Sequence, residues 1–116
     1  MSHKLIPSVC IDAVFEGKSF ADACAAVKNA GIPGIEFWGW WDKDLDALQA
    51  AQSANGLEIS ACCTKFISLV DPAVRGDYLQ ALTDSIAAAK RLGTTTLISQ
   101  VGDFREGVPR EEQRQS

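Results

Sequence analysis

The sequence predicts an α/β fold with a parallel sheet, and three observations carry that prediction. The stretches "KNAGIPGIEFW", "QSANGLEISACC" and "KRLGTTTLISQV" share one punctuation: a helix-like run, a glycine (Gly31, Gly56, Gly93), then a short β-branched or apolar run. Glycine suits a helix C-terminus because it enters the left-handed region without a Cβ clash. Each helix-like run also opens on a capping signal. Finally, the segments between the strands are long enough for helical crossovers, which makes the strands parallel and the crossovers right-handed. The 116 residues suit one domain, 1–116.

The elements follow in order. Strands are expected at 6–11, 34–38, 57–62 and 95–100. Ser19 with Asp22 resembles a capping box, after which Phe20, Cys24 and Val27 share one helical face. Asp42 or Asp44 caps a second helix, whose Leu45, Leu48 and Ala51 form an apolar stripe. The third opens with Asp71 as cap and Pro72 at its first position, and Tyr78, Leu82, Ile86 and Ala89 recur at helical spacing. Gly76 costs about 1 kcal/mol relative to alanine there, so a loose first turn is expected. Last, "VPREEQRQS" reads as the start of a fourth helix, with Pro109 in its first turn and Glu111 and Glu112 against the positive end of the dipole. The sequence is thus expected to stop early in that helix, as a partial domain would.

Composition bounds the partners. Eleven basic against 15 acidic residues give a charge of −4, and the densest basic stretch, Arg105 to Arg114, is broken by glutamates. No basic stripe for phosphates results, so nucleic acid is not an expected partner. No apolar run reaches the roughly 20 residues of a membrane span, and "MSHKLIPSVCIDAVF" lacks the apolar core of a signal peptide; a cytoplasmic, membrane-free protein is expected. Cys10, Cys24, Cys62 and Cys63 show no C-x-x-C spacing and read as reduced, small hydrophobes. The single histidine, His3, has no cysteine at zinc-ligand spacing. Asp42, Asp44 and Asp46 fit capping better than cation binding, since the glycine and terminal glutamate of an EF-hand are missing.

Periodicity alone leaves two architectures open: a doubly wound sheet with helices on both faces, and a (β/α)8 barrel with every helix outside. "CIDAVFEGKSF" has one glycine and no G-x-G-x-x-G, which weakens a nucleotide-binding reading.

The stretches "PSVCIDAVFEGKSF", "GIEFWGWWDKDLDAL", "CTKFISLVDP" and "TLISQVG" with "GVPREEQRQS" resemble hydroxypyruvate isomerase and its close relatives, a group of xylose-isomerase-like TIM barrels. The resemblance implies the N-terminal half of a (β/α)8 TIM barrel, with four parallel strands and about three complete outer helices. It also implies a sugar-type isomerase that converts hydroxypyruvate to tartronate semialdehyde through an enediolate, using two carboxylates and, in the full-length parent, a divalent metal. In that family the two glutamates and the metal ligands come from the second half of the barrel. No residue here therefore inherits a catalytic or metal-binding role, and the chain alone is expected to be inactive. The small hydroxy-carbonyl substrate is the expected partner, with homo-oligomerisation expected if the chain is stable alone, because two bare sheet edges invite pairing. A second reading is a non-catalytic half-barrel that binds or assembles.

In such a barrel the active site forms at the C-terminal ends of the strands. Trp38, Trp40 and Trp41, all of the chain's tryptophans, fall there after the second strand. Either they rim a pocket or they pack the top of the barrel, and alternation turns Trp38 inward. The substrate-binding candidates are Glu36, Trp38, Lys65 and Gln100. Glu36 shares a face with Trp38 and either touches substrate or supports the barrel. Lys65 either meets a substrate carboxylate or is a solvated loop lysine. Gln100 either bonds a substrate hydroxyl or ties strand ends, and Cys62 reads as packing.

Overall fold

The computed structural model describes residues 4–116, so His3 lies outside the described residues. The chain runs β1 (Ser8–Cys10), α1 (Ile11–Val14), α2 (Phe20–Asn29), β2 (Gly34–Glu36), α3 (Leu45–Asn55), β3 (Glu58–Cys63), a 3₁₀ turn (Pro72–Val74), α4 (Arg75–Leu92), β4 (Leu97–Ile98) and α5 (Arg110–Arg114). The four strands form one sheet in the order β1-β2-β3-β4, each pair parallel. That order decides between the two architectures. A doubly wound sheet reverses direction at its switch point, whereas an unreversed order with right-handed crossovers sends every helix to the same face. In agreement, α2 packs against α3, and α4 lies on β3 and β4. The fold is the N-terminal portion of a TIM barrel.

The core lies between the sheet and these helices. Ile35, Phe37, Leu57, Ile59 and Cys62 from the sheet side meet Cys24 and Val27 of α2, Leu48 of α3 and Leu92 of α4. On the opposite face Ser8, Ser60 and Ile98 are exposed and Glu36 is half-buried. The register slips between Ile35 and Glu36, which face Ile59 and Ala61, so Ser60 is an extra residue. Its hydroxyl donates to the Ile35 carbonyl at 3.2 Å and lies 2.7 Å from Ser8 Oγ. The slip explains why "EISACC" breaks strict alternation: Ile59 and Cys62, three positions apart, both reach the helix-side core.

The helix starts are chemically defined. Ser19 Oγ accepts from the Asp22 amide and donates to its carboxylate. Asp44, not Asp42, caps α3, accepting from the amides of Asp46 and Ala47. Asp71 accepts from the Ala73 amide; the loose turn anticipated at Gly76 is not seen, since Gly76 lies within α4 and a 3₁₀ segment, Pro72–Val74, precedes it. Gly56 and Gly93 close α3 and α4 with φ of 62° and 75°.

Several details differ from the sequence expectation. β2 ends at Glu36 rather than at 38, and β3 runs one residue later, over Glu58–Cys63. β1 is shorter, because Ile11 begins the helical turn α1 and buries its side chain in the core. β4 likewise keeps only Leu97–Ile98 of the expected 95–100. The buried stripe of α4 is rotated: Ala81, Ser85, Ala88, Ala89 and Leu92 face inward, while Ile86 is 42% exposed. Small side chains let α4 approach the sheet and seat the Trp40 indole, whose Nε1 donates to Ser85 Oγ at 3.0 Å. Ser85 in turn donates to the Ala81 carbonyl. Among the described residues no helix is long and apolar enough to cross a membrane.

All four cysteines are free thiols, and Cys24, Cys62 and Cys63 are buried. Burial, reinforced by the adjacent Cys63, pushes the Cys62 thiol from 9.0 up to about 11. Burial also raises Cys24 and, with Cys10 and Glu36 nearby, Cys63. A raised thiol favours the neutral folded form, so its contribution is complete below the unfolded value of 9.0 and is lost as pH climbs through about 11. Denaturation midpoints are expected to fall over that alkaline window. In a thiol-reagent titration near neutral pH, Cys10, the half-buried one, is expected to react well ahead of the other three; equal rates for all four would show the core is not closed.

Candidate functional site

The C-terminal ends of β1 and β2 open into a cleft of about 500 Å³, walled by Phe15, Phe20, Trp38, Trp41 and Phe66 and floored by Asp12 and Lys43. Its aromatic walls arise from the way the tryptophan cluster splits. Ile35 and Phe37 point into the core, so Trp38 is turned to the open face, 49% exposed. Trp40 falls on the helix side against Ser85. Trp41 stands edge-on to Trp40, ring centres 6.0 Å apart, and edge-on to Phe66 at 5.1 Å. Gly39 makes this turn possible: a Cβ there would sit 3.2 Å from the Trp41 ring and 3.1 Å from the Asp42 carboxylate. Packing and pocket rim, the two alternatives posed by the sequence, are thus divided among the three indoles.

One carboxylate oxygen holds the floor together. Asp12 Oδ2, on α1, accepts from the backbone amide of Trp38 at 2.6 Å and from Lys43 Nζ at 3.1 Å. Lys43 also contacts Asp42 at 3.2 Å, and its ammonium lies 5.6 Å and 5.5 Å from the ring centres of Phe20 and Phe37. Its side chain is only 7% exposed. A charge so nearly buried needs a fixed partner and benefits from the ring faces. Sequence reasoning missed both Asp12 and Lys43. A charged residue just past a strand end, "CID", was the available signal, but its partner lies 31 positions away (43 − 12).

The other candidates divide between sites. Glu36 lies half-buried on the open face beside Cys10 and Cys63. Gln100, exposed, lines a second cleft of about 440 Å³ beyond β3 and β4, together with Ser68, Asp103 and Arg105, and Phe66 borders both clefts. Lys65 turns back toward Trp40, its Nζ 5.6 Å from the ring centre. Cys62 is wholly buried, as packing requires.

A family model described as the xylose isomerase-like TIM barrel matches residues 24–116. The chain belongs to the xylose isomerase-like TIM-barrel family. No curated protein matches. Among solved structures this xylose isomerase-like chain is similar to a family 2 AP endonuclease from Brucella melitensis, with TM-score 0.83 and 16% identity over 93% of this chain and 45% of that one. A Sinorhizobium meliloti protein gives TM-score 0.74 at 23% identity over 93% of this chain and 41% of that one. A fusion of a xylose isomerase-like TIM barrel with 4-hydroxyphenylpyruvate dioxygenase gives 0.73 at 14% identity, over 96% of this chain and 18% of the fusion. At such identities the likeness establishes the fold, and the chain spans less than half the length of each of these structures.

The divalent cation implied by the resemblance does not fit the residues present. Among the described residues no three or more His, Cys, Asp or Glu side chains converge to hold one. Asp12 is already committed to Lys43 and the Trp38 amide. Removing Asp12 leaves Lys43 with only the exposed Asp42 carboxylate and leaves the Trp38 amide unpaired, so Asp12→Ala is expected to cost about 2 kcal/mol in denaturant titrations; Asp42 and the residual exposure of Asp12 keep it below the cost for a fully buried pair. Lys43→Met keeps the stem against the rings and the Trp38 hydrogen bond, and is expected to cost less. The reverse ranking would refute Asp12 as the common anchor.

Proposed function

We propose that this chain is the N-terminal half of a hydroxypyruvate isomerase-like enzyme and supplies one wall of its substrate site. The observation that carries the proposal is the uncovered sheet face with an aromatic cleft at the C-terminal strand ends, where TIM barrels bind substrate. The "GIEFWGWW" and "CTKF" segments support this subgroup within the family. In this reading Trp38, with Trp41 and Phe66, screens a small hydroxy-carbonyl compound from water, which protects an enediolate. Glu36, on the same open face as Trp38, offers an acceptor to its hydroxyl, while Gln100 in the adjoining cleft and Lys65, after swinging from Trp40, serve only a substrate that extends past Phe66. Interconversion of hydroxypyruvate and tartronate semialdehyde needs two positioned acid–base groups, and this reading assigns them to strands beyond this chain.

A second reading, a non-catalytic binding or assembly module, is favoured by the aromatic lining that this chain supplies by itself. Hydroxypyruvate is expected to quench tryptophan fluorescence, and Trp38→Ala is expected to weaken binding about tenfold, the equivalent of about 1.4 kcal/mol. Exchange of the substrate's carbon-bound protons, followed by NMR with and without magnesium or manganese, is expected to stay at the background rate. Turnover by the chain alone would sink the half-enzyme reading. An absence of binding would remove the substrate assignment. Binding without turnover, even when the remaining strands of a hydroxypyruvate isomerase are co-expressed, would favour the module.

A further inference from the structure

The second cleft, about 440 Å³ between the loops that follow β3 and β4, carries polar chemistry that the aromatic cleft does not use. Its two walls are fixed to each other. The Leu69 amide donates to the Val101 carbonyl at 2.8 Å. Gly102, with φ of 98°, lies so close to Ser68 that a Cβ there would sit 2.8 Å from the serine Oγ, an approach that only glycine permits.

Arg105 is held into this cleft from behind. Gln113 of α5, 5% exposed, accepts from the Arg105 amide at 2.9 Å and donates to the Arg105 carbonyl at 3.0 Å. The same side-chain amide also donates to the Val108 carbonyl at 2.8 Å. The backbone of Arg105 is thus clamped, while its guanidinium finds no hydrogen-bond acceptor among the described residues. That side chain, 35% exposed, reaches only Asp71, at 3.9 Å, whereas a charge-assisted hydrogen bond spans about 2.7–2.9 Å. Asp71 is kept from closing the gap, because the same oxygen, Oδ1, accepts from the Ala73 amide at 3.0 Å. Two further donors line the cleft. The Gln100 amide bonds to nothing among the described residues, and the Ser68 hydroxyl accepts from the Val70 amide at 3.2 Å and keeps its proton to give.

Three donors without acceptors, one of them a cation partly removed from water, suit an anion. The planar fork of arginine matches the two oxygens of a carboxylate. Asp71 and Asp103, in the same lining, repel a dianion more strongly than a monoanion, which favours a carboxylate over a phosphate. We propose that the second cleft binds the carboxylate of a small organic acid, with Arg105 as its anchor, Ser68 and Gln100 as further donors, and Gln113 as the residue that positions Arg105. The assignment rests on this cleft alone and not on the isomerase reading. Phe66 borders both clefts, so a ligand whose carboxylate sits on Arg105 and whose body runs past Phe66 engages the two together.

Titration of the isotope-labelled full chain with glycerate, a small hydroxy acid, followed by NMR, tests this. The Arg105 Nε–H and Gln100 side-chain amide signals are expected to shift and to saturate. Arg105→Met is expected to weaken the binding read at Gln100 about tenfold, and Arg105→Lys, which keeps the charge and loses the fork, by less. The backbone spectrum of each variant checks that it is folded, and should Arg105→Met unfold, Arg105→Lys decides alone. A wild-type chain with no response at Arg105 and Gln100 would overturn the proposal. So would a folded variant that binds glycerate as tightly as the wild type, or inorganic phosphate that binds more tightly than glycerate. The indole N–H signals report the aromatic cleft separately, so a response at Arg105 without one at the indoles upholds this assignment even where the substrate reading of the aromatic cleft fails.

Discussion

Right-handed crossovers between parallel strands in an unreversed order govern everything else in this molecule. Each crossover returns the chain to the next position on the same side, so α2, α3 and α4 cover one face of the sheet and leave the other open. The side chains follow that asymmetry. Ile35, Phe37 and Ile59 are buried against helices, whereas Ser8, Glu36 and Ser60 occupy the open face. Such a face is wasteful in a doubly wound sheet and natural in a barrel, where the inner surface packs against itself and the strand ends build a site.

At the C-terminal rim the same economy recurs on a smaller scale. One oxygen of Asp12 links the turn after β1 to the backbone at the end of β2 and to the lysine of the next loop. This junction fixes where the chain leaves β2 and hence how the three indoles diverge. Trp38 emerges on the open face, Trp40 enters the space opened by the small residues of α4, and Trp41 bridges to Phe66. The buried ammonium of Lys43 is stabilised by carboxylates and aromatic faces together at the floor of the cleft.

Membership of the xylose isomerase-like family settles the scaffold and leaves the chemistry to the site. TIM barrels host many reactions on one frame. The similar structures include an AP endonuclease and a fusion with a dioxygenase, at 16% and 14% identity. In this chain the site is a cleft walled by indole and phenyl rings over an ion pair, with an amide-bearing residue at the neighbouring strand end.

Local chemistry was legible in the sequence because it acts over a few residues. The caps at Ser19 and Asp71, the left-handed glycines at Gly56 and Gly93 and the strand–helix alternation all follow from short-range sterics and hydrogen bonding. The choice between Asp42 and Asp44 as cap, the register slip at Ser60 and the rotation of α4 around Trp40 depended on partners far along the chain. Lys43 is the sharpest case. In sequence it is one lysine among aspartates, and only the approach of the β1–α1 turn to the loop after β2 gives its charge a partner and buries it. By itself, then, the sequence determined that strands and long helices alternate, and in what order. The tertiary structure decided which polar groups meet, because burial and ion pairing depend on distances in space rather than on spacing along the chain.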